Sequence, residues 1–411
     1  MEKYKYVIVG NGIAGLRAAD TIRLHDKETP ILMISEEPYL SYSRPLISYL
    51  IGGETTQEKM YYHDKDWYDK RNIKLMLGQP VTKYMPIENK IALANGTEIG
   101  YEKLLIATGG KTQIPDSPGT NLPGVFTFTH LGPTLEIMEL IKQGKIQRAT
   151  VVGGGLVGLK ACQGLVDAGV DVTCIISSGQ IMSQLLDETA AAIVKRRLDR
   201  KGIRIILNTS VTAITGNGKV EGVVLESGDE LETDLVILAK GVAPDLKYIK
   251  GTEIKCGAGI AVDNHMRTNI PNVWAAGDCT ETYEESFGKS TTNLVWPRAS
   301  EQGQVAGLNM VGIPKEYRGW FWMNSFQFYG LSCISIGDVR PSGGTHEVMI
   351  SQNIKEGLYR KVIINNDRIS GALFVGKIAT IGTINGLVKK QISIKGHKEE
   401  VLEDKLALLI F

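Results

Sequence analysis

Two short glycine runs carry the most readable chemistry in this chain. Gly10-Asn11-Gly12-Ile13-Ala14-Gly15 follows the apolar stretch Tyr6-Val7-Ile8-Val9. Gly153-Gly154-Gly155-Leu156-Val157-Gly158 follows Ala149-Thr150-Val151-Val152 in the same way. A strand, a glycine turn and an Ala/Leu-rich helix together make a cradle for a dinucleotide pyrophosphate. One such run is weak evidence, but two in one polypeptide suggest two dinucleotide sites. An enzyme that holds FAD and a nicotinamide nucleotide face to face needs that arrangement.

In the first run Gly10 permits the tight strand-to-helix turn, Gly12 lets the pyrophosphate approach the backbone, and Gly15 lets helix and strand pack closely. Ile13 and Ala14 lie in the same turn, where the helix N-terminus offers unpaired N–H groups and positive partial charge. The ribose needs an acceptor at the end of the next strand, and Glu36 or Glu37 follows Ile34-Ser35 there. The bland alternative is two solvated glutamates in a loop. Gly153, Gly155, Leu156, Val157 and Gly158 take the corresponding parts in the second run, and Gly241 ends a later apolar stretch as Gly109 ends its own.

The elements that position these residues follow from apolar patterning. Strand, glycine turn and helix occupy roughly residues 4–25, and Ile31-Leu32-Met33-Ile34 is the next strand, a parallel βαβ unit. Residues 81–106 read as an antiparallel excursion with a hairpin at Asn95-Gly96. They return to the buried strand before Ala107-Thr108-Gly109. A Pro/Gly-rich segment at 115–124 looks like a linker, and a second βαβ unit runs over about 149–176. Leu235-Val236-Ile237-Leu238-Ala239-Lys240-Gly241 repeats the logic of the strand before Thr108, an internal duplication of architecture. From about 314 the pattern changes to short strands, with a hairpin around Asn365-Asn366-Asp367.

Composition sets the outer bounds. At 411 residues the chain can bury two or three cores. A formal charge of +1 gives no general pull toward nucleic acid or anionic membrane. The five cysteines form no CxxC pair, so no disulfide framework, zinc site or iron–sulfur site is readable. The six histidines have no metal-ligand spacing, and no metal site is expected. Without a signal-peptide pattern or a membrane-length apolar run, the expected compartment is the cytoplasm.

Ser35-Glu36-Glu37-Pro38, Tyr42-Ser43-Arg44-Pro45-Leu46-Ile47-Ser48, Leu104-Leu105-Ile106-Ala107-Thr108-Gly109 and Trp274-Ala275-Ala276-Gly277-Asp278 resemble the motifs of two-dinucleotide flavoprotein reductases. The similarity is to the branch of rubredoxin reductases, ferredoxin reductases, nitrite reductase flavin domains and apoptosis-inducing factor. It covers about residues 4–312 and, less specifically, the C-terminal part. The resemblance implies an α/β fold with two Rossmann-like dinucleotide-binding domains: a discontinuous FAD domain (1–115 and 245–313) with an NAD(P)H domain (116–244) inserted. A small α+β C-terminal interface domain (314–411) follows. It implies that Arg44 lies along the FAD pyrophosphate, and that Asp278, with Gly277, holds the ribityl chain or a phosphate-bound water. It further implies that Ala107, Thr108 and Gly109 line the flavin side and that Val81 packs its backbone against the adenine. Trp296 and Ala299 would open a helix aimed at the flavin, Trp296 reading as flavin contact or as core aromatic.

Two positions depart from that pattern. Several relatives carry a lysine where this chain has Tyr49, which donates a hydrogen bond but brings no positive charge; Tyr49 has either a flavin-proximal catalytic role or a packing role. The second nucleotide strand ends Ile175-Ile176-Ser177-Ser178, without the carboxylate that usually takes both ribose hydroxyls of NADH and without an arginine for NADPH. NADH is the expected donor, with Ser177 at the ribose and NADP(H) left open; a degenerate site is the other reading.

No cysteine precedes Cys162, so a redox disulfide beside Ser41-Tyr42-Ser43-Arg44-Pro45 is excluded, and Cys279 reads as a small buried residue. Electrons must then leave from the flavin itself. The expected function is an FAD-dependent NAD(P)H oxidoreductase that moves electrons between NADH and a one-electron iron–sulfur partner. That partner is a rubredoxin- or ferredoxin-like carrier, or an iron–sulfur subunit of a larger complex. Alternatives are an NADH oxidase using O2 and a redox-sensing flavin-bearing interaction protein. The basic run Lys195-Arg196-Arg197 to Arg200-Lys201 reads as a solvated face or as a docking patch. The aromatic cluster 320–329 reads as core or as an interface to a partner or second copy, and the apolar tail Leu406–Phe411 is expected to pack.

Overall fold

A computed structural model describes residues 1–284, 289–319, 322–341, 343 and 345–402. The Trp320-Phe321 part of the aromatic cluster and the Leu406–Phe411 tail lie outside the described residues. The chain forms two compact units, one of residues 1–47, 55–113 and 242–320, the other of residues 48–54, 114–241 and 321–411. The α/β class expected from the βαβ patterning holds.

In the first unit, parallel strands run in the order Ile73–Met76, Ile31–Ile34, Glu2–Val9, Glu98–Ile106, with Val273–Ala275 also pairing parallel to the last. Lys90–Leu93 and Val81–Met85 extend the sheet antiparallel, closing the hairpin expected at Asn95-Gly96. Alternate residues of Glu2–Val9 enter opposite cores: Tyr6 and Ile8 join Ala14, Ala18 and Ala306, while Val7 and Val9 join Ile34, Leu104 and Leu246. Cover on both faces is why these strands read as unbroken apolar runs. Val9 stands opposite Ile34 and Ile106, and Ile106 opposite Ala275. The backbone bonds continue past them, from Gly10 N–H to Ile34 O, Ala107 N–H to Val9 O and Ala276 N–H to Ile106 O. Three glycine-bearing turns therefore leave one edge of the sheet together.

The helix Ile13–His25 packs on Trp296–Met310 through small residues. A Cβ at Gly303 would stand 2.2 Å from the Ala14 carbonyl oxygen, so the two backbones touch only because that side chain is absent.

The second unit repeats the plan with a five-stranded parallel sheet in the order Arg204–Leu207, Asp171–Ile176, Arg148–Val152, Leu235–Leu238, Val125–Thr127. Asp187 caps the helix Glu188–Asp199 by accepting the Ala190 N–H at 3.0 Å. Its other oxygen accepts from the Tyr359 hydroxyl at 2.7 Å and the Lys361 ammonium at 3.2 Å. The basic run on this helix is partly engaged: Lys195 pairs with Asp199 and Arg197 donates to the Tyr329 carbonyl.

The C-terminal part is an antiparallel sheet in the order Met323–Phe328, Leu331–Gly337, Arg368–Val375, Leu358–Asn365, Glu347–Asn353. Helix Ile381–Lys390 covers one face through Ile384, Leu387 and Val388. Of the described members of the aromatic cluster, Phe326 and Phe328 are core and Trp322 is exposed. No helix among the described residues is long and apolar enough to cross a membrane.

Candidate functional site

The first cradle is defined by what its glycines exclude. Gly10 adopts φ +117°, and a Cβ there would stand 2.0 Å from the Ala107 carbonyl oxygen. A Cβ at Gly15 would stand 2.0 Å from the Gly10 carbonyl oxygen, whereas nothing lies within 4 Å of one at Gly12. Gly10 and Gly15 are thus needed for packing, and Gly12 keeps open space. Gly12 caps the 13-residue helix without a side-chain hydrogen bond, so first-turn N–H groups near Ile13 and Ala14 remain for an anion. An open cradle with unspent donors suits a dinucleotide pyrophosphate.

The second cradle reproduces the first. Gly153 has φ +127°, and its Cβ would stand 2.3 Å from the Ala239 carbonyl oxygen; a Cβ at Gly158 would stand 2.0 Å from Gly153 O. Gly155, like Gly12, faces open space and caps its helix, Leu156–Asp167, without a side chain. Leu156 and Val157 form the half-buried first turn. Gly241, exposed at φ +107°, follows the strand that brings Ala239 to Gly153.

At the edge of the first sheet Thr108 and Gly109 are half-buried, and the Gly109 carbonyl accepts the Asp245 N–H at 3.1 Å. Gly277 N–H donates to Gln302 Oε1 at 2.8 Å, and the Thr280 hydroxyl donates to the same oxygen at 3.0 Å. This fixes the turn that presents Asp278. Burial pushes the Asp278 carboxyl above its ordinary range, against the pull of Arg298 and Arg44. Arg298 itself is fully buried, donating to Glu284 at 3.0 Å, to the Asn293 carbonyl at 2.9 Å and to the Thr282 hydroxyl at 2.6 Å. Asp278, by contrast, has no hydrogen-bond partner among the described residues. A desolvated acceptor with no hydrogen-bond partner among the described residues fits a ligand hydroxyl such as that of a ribityl chain.

Cys279 is buried with its thiol pushed up to about 11, by burial first of all, the environment of a small core residue. Glu36 is exposed at the end of its strand, whereas Glu37 accepts from the Tyr42 hydroxyl at 2.7 Å and from Arg44 at 2.8 Å. Glu37 and Arg44 are therefore brought to each other, and Glu36 is the carboxylate of the two without such a bond. Val81 is buried at the start of its strand, opposite Leu93. Ala299 is buried in the first turn of the Trp296–Met310 helix, and Trp296 is exposed, its indole N–H donating to the Tyr62 hydroxyl at 2.5 Å.

In the second unit, Ser177 is exposed at the end of Asp171–Ile176. Tyr49 receives the Lys160 ammonium at its hydroxyl, 3.2 Å away, with the same ammonium 4.7 Å from the ring centre. Lys160 also donates to Gln163 at 3.0 Å and to the Gln327 carbonyl at 2.6 Å. Sequence reasoning passed over Gln302, the Arg298–Glu284 pair and Lys160. Only Lys160 left a signal, as the first charge in the otherwise apolar run Leu156-Val157-Gly158-Leu159.

The sequence profile described as pyridine nucleotide-disulphide oxidoreductase matches residues 4–303, and that of the rubredoxin NAD+ reductase C-terminal domain matches residues 323–392. The chain is 32% identical to the NADH-dependent phenylglyoxylate dehydrogenase subunit epsilon of Aromatoleum evansii, covering 99% of this chain and 97% of that one. It is 30% identical to the assimilatory nitrate reductase electron transfer subunit of Bacillus subtilis over all of its own length, but it spans only 52% of that relative. Among solved structures, the NADH:rubredoxin oxidoreductase of Clostridium acetobutylicum superimposes with a TM-score of 0.80 at 29% identity, covering 100% of both chains.

Proposed function

The chain belongs to the pyridine nucleotide-disulphide oxidoreductase family, whose members use FAD and NAD(P)H, and on that premise we propose that it moves electrons between NADH and an iron–sulfur acceptor. The observation that carries this reading is the pair of matched cradles in a chain with no cysteine before Cys162. A disulfide relay beside Ser41–Pro45 has no sulfur to use, so the exit route for electrons is the cofactor itself. The match of residues 323–392 to the rubredoxin reductase C-terminal domain supports a small iron–sulfur protein as acceptor. The names of the Aromatoleum and Bacillus relatives support the same chemistry within a larger assembly, and a cytoplasmic setting belongs to the same proposal.

FAD held by these residues would supply the redox chemistry, hydride acceptance from NADH and one-electron release. The chain's own residues bind and orient. Gly10, Gly12 and Gly15 with the first-turn N–H groups hold one pyrophosphate, and Gly153, Gly155 and Gly158 hold the other. Glu36 takes a ribose hydroxyl and Asp278 a ribityl hydroxyl, while Gln302 keeps the Gly277 turn rigid behind it. In this reading the Tyr49 hydroxyl accepts from the Lys160 ammonium and keeps its own proton to donate to a ligand.

The test is anaerobic mixing of FAD-loaded protein with NADH, followed by addition of oxidised rubredoxin or ferredoxin. Rapid loss of flavin absorbance, then its return as the carrier is reduced, is the expected result. No bleaching with NADH or NADPH overturns the reading, and oxygen consumption that outpaces carrier reduction favours an oxidase. Co-purification of an iron–sulfur polypeptide separates the subunit form from the free reductase.

A further inference from the structure

We infer that the second nucleotide site does not discriminate NADH from NADPH, and that the residue setting this tolerance is Ser177; the inference rests on the nucleotide-binding reading given above. In a βαβ dinucleotide site the 2′ position of the adenosine ribose is read at the end of the second strand, here Asp171–Ile176. Selection there needs charge. A carboxylate accepts from a 2′-hydroxyl and repels a 2′-phosphate, whereas a guanidinium does the reverse.

This strand end carries neither. Ile176 is 3% exposed and leans over Gly154, where a Cβ would come within 2.4 Å of its Cδ1. Its side chain is committed to the core and cannot reach a ribose. Ser177 is exposed and its hydroxyl makes no bond among the described residues, while the Ser178 hydroxyl is spent on the Gln180 carbonyl at 2.8 Å. The neighbouring strand continues into Asn208, whose N–H donates to Ser178 O and whose Oδ1 would stand 3.3 Å from a Cβ at Gly179. Residues 176–186 and 205–218 contain no Asp, Glu, Lys, Arg or His at all. Arg204 sits at the opposite end of its strand, beside Thr173. In sequence, the charges that follow these two stretches are Asp187, held by Ala190, Tyr359 and Lys361, and Lys219, which lies beyond the strand Val211–Thr215.

The 2′ edge is therefore neutral and built from a hydroxyl and an amide. Such groups accept from a hydroxyl and donate to a phosphate with little preference. The cradle at Gly153–Gly158 and the rest of the nucleotide are common to both donors, so at this edge the two differ by no more than a neutral hydrogen bond.

The test has two readouts. Flavin reduction in FAD-loaded protein is followed with NADH and with NADPH, and calorimetry measures ADP-ribose and its 2′-phosphate binding to the same protein. Both ratios are expected to stay within about thirtyfold of unity, the scale of leaving one neutral donor or acceptor unpaired. Ser177→Glu is expected to shift both ratios at least about tenfold toward the unphosphorylated ligands, and Ser177→Arg at least about tenfold the other way. A wild-type preference beyond thirtyfold in either direction overturns the inference while leaving the reductase intact. Ratios that ignore both substitutions overturn the assignment to Ser177. Failure of every nucleotide to bind or bleach is a different outcome, because it removes the nucleotide site itself and takes the inference with it.

Discussion

Asp278 illustrates how a binding group burdens the protein that carries it. Its carboxyl is desolvated and unpartnered, so its pKa is raised in the folded state. The folded cofactor-free protein therefore holds its proton more tightly than the unfolded chain does. The contribution of Asp278 to stability is greatest below the ordinary value of 3.8 and is lost as pH rises through the raised folded value. Asp278→Asn should then stabilise cofactor-free protein at neutral pH, a shift that thermal melts at pH 4 and pH 8 will resolve. The same change should weaken FAD retention roughly tenfold or more, the worth of a hydrogen bond to a charged acceptor. Arg298 and Glu284 make the opposite case, since both are fully buried and paired at 3.0 Å. Arg298→Met leaves a buried carboxylate without its ion partner and should cost about 3–5 kcal/mol in urea unfolding. Adding Glu284→Gln should recover much of that loss, and a double variant no better than the single one would contradict the pairing.

At the level of elements, the glycines divide into those that allow packing and those that keep space for a ligand. Gly12→Ala introduces a methyl at φ −83° with nothing within 4 Å, so the fold should hold or gain about 0.4–1 kcal/mol. FAD affinity should nevertheless fall roughly 10–200-fold, the range for one misplaced methyl group. Gly303→Ala drives a methyl against the Ala14 carbonyl and should cost about 1–3 kcal/mol or more by separating two helices. Melting temperature and flavin content, read together, distinguish the two. The glycine turns were legible in the sequence because their cause is local: a strand, a forced backbone angle and a helix start within a few residues. Three other features had no such local cause. Gln302 reaches Gly277 across 25 residues, Arg298 reaches Glu284 across 14, and Lys160 reaches Tyr49 across 111. Such pairs exist only after the chain has folded. For the same reason the sequence offered Glu36 and Glu37 as equals, and only the Tyr42 and Arg44 contacts separate them.

For the whole molecule, the two cradles lie in different compact units and should fail independently. Gly155→Ala should leave the protein yellow and stable yet resistant to bleaching by NADH, whereas Gly12→Ala should leave it colourless. Loss of flavin in both would show that the sites are coupled. The two cradles also grip alike: each turns on a glycine where an added Cβ would meet an alanine carbonyl oxygen, 2.0 Å away at Gly10 and 2.3 Å away at Gly153. Neither can tell one adenosine diphosphate from another at the phosphates, so each must rely on what lies further along the molecule. A preparation stripped of flavin thus presents two berths to any adenylate in the buffer. Reconstitution should be slowed by ADP or NAD+ in proportion to their concentration, and a protein purified with nucleotide present would be recovered partly filled with the wrong guest.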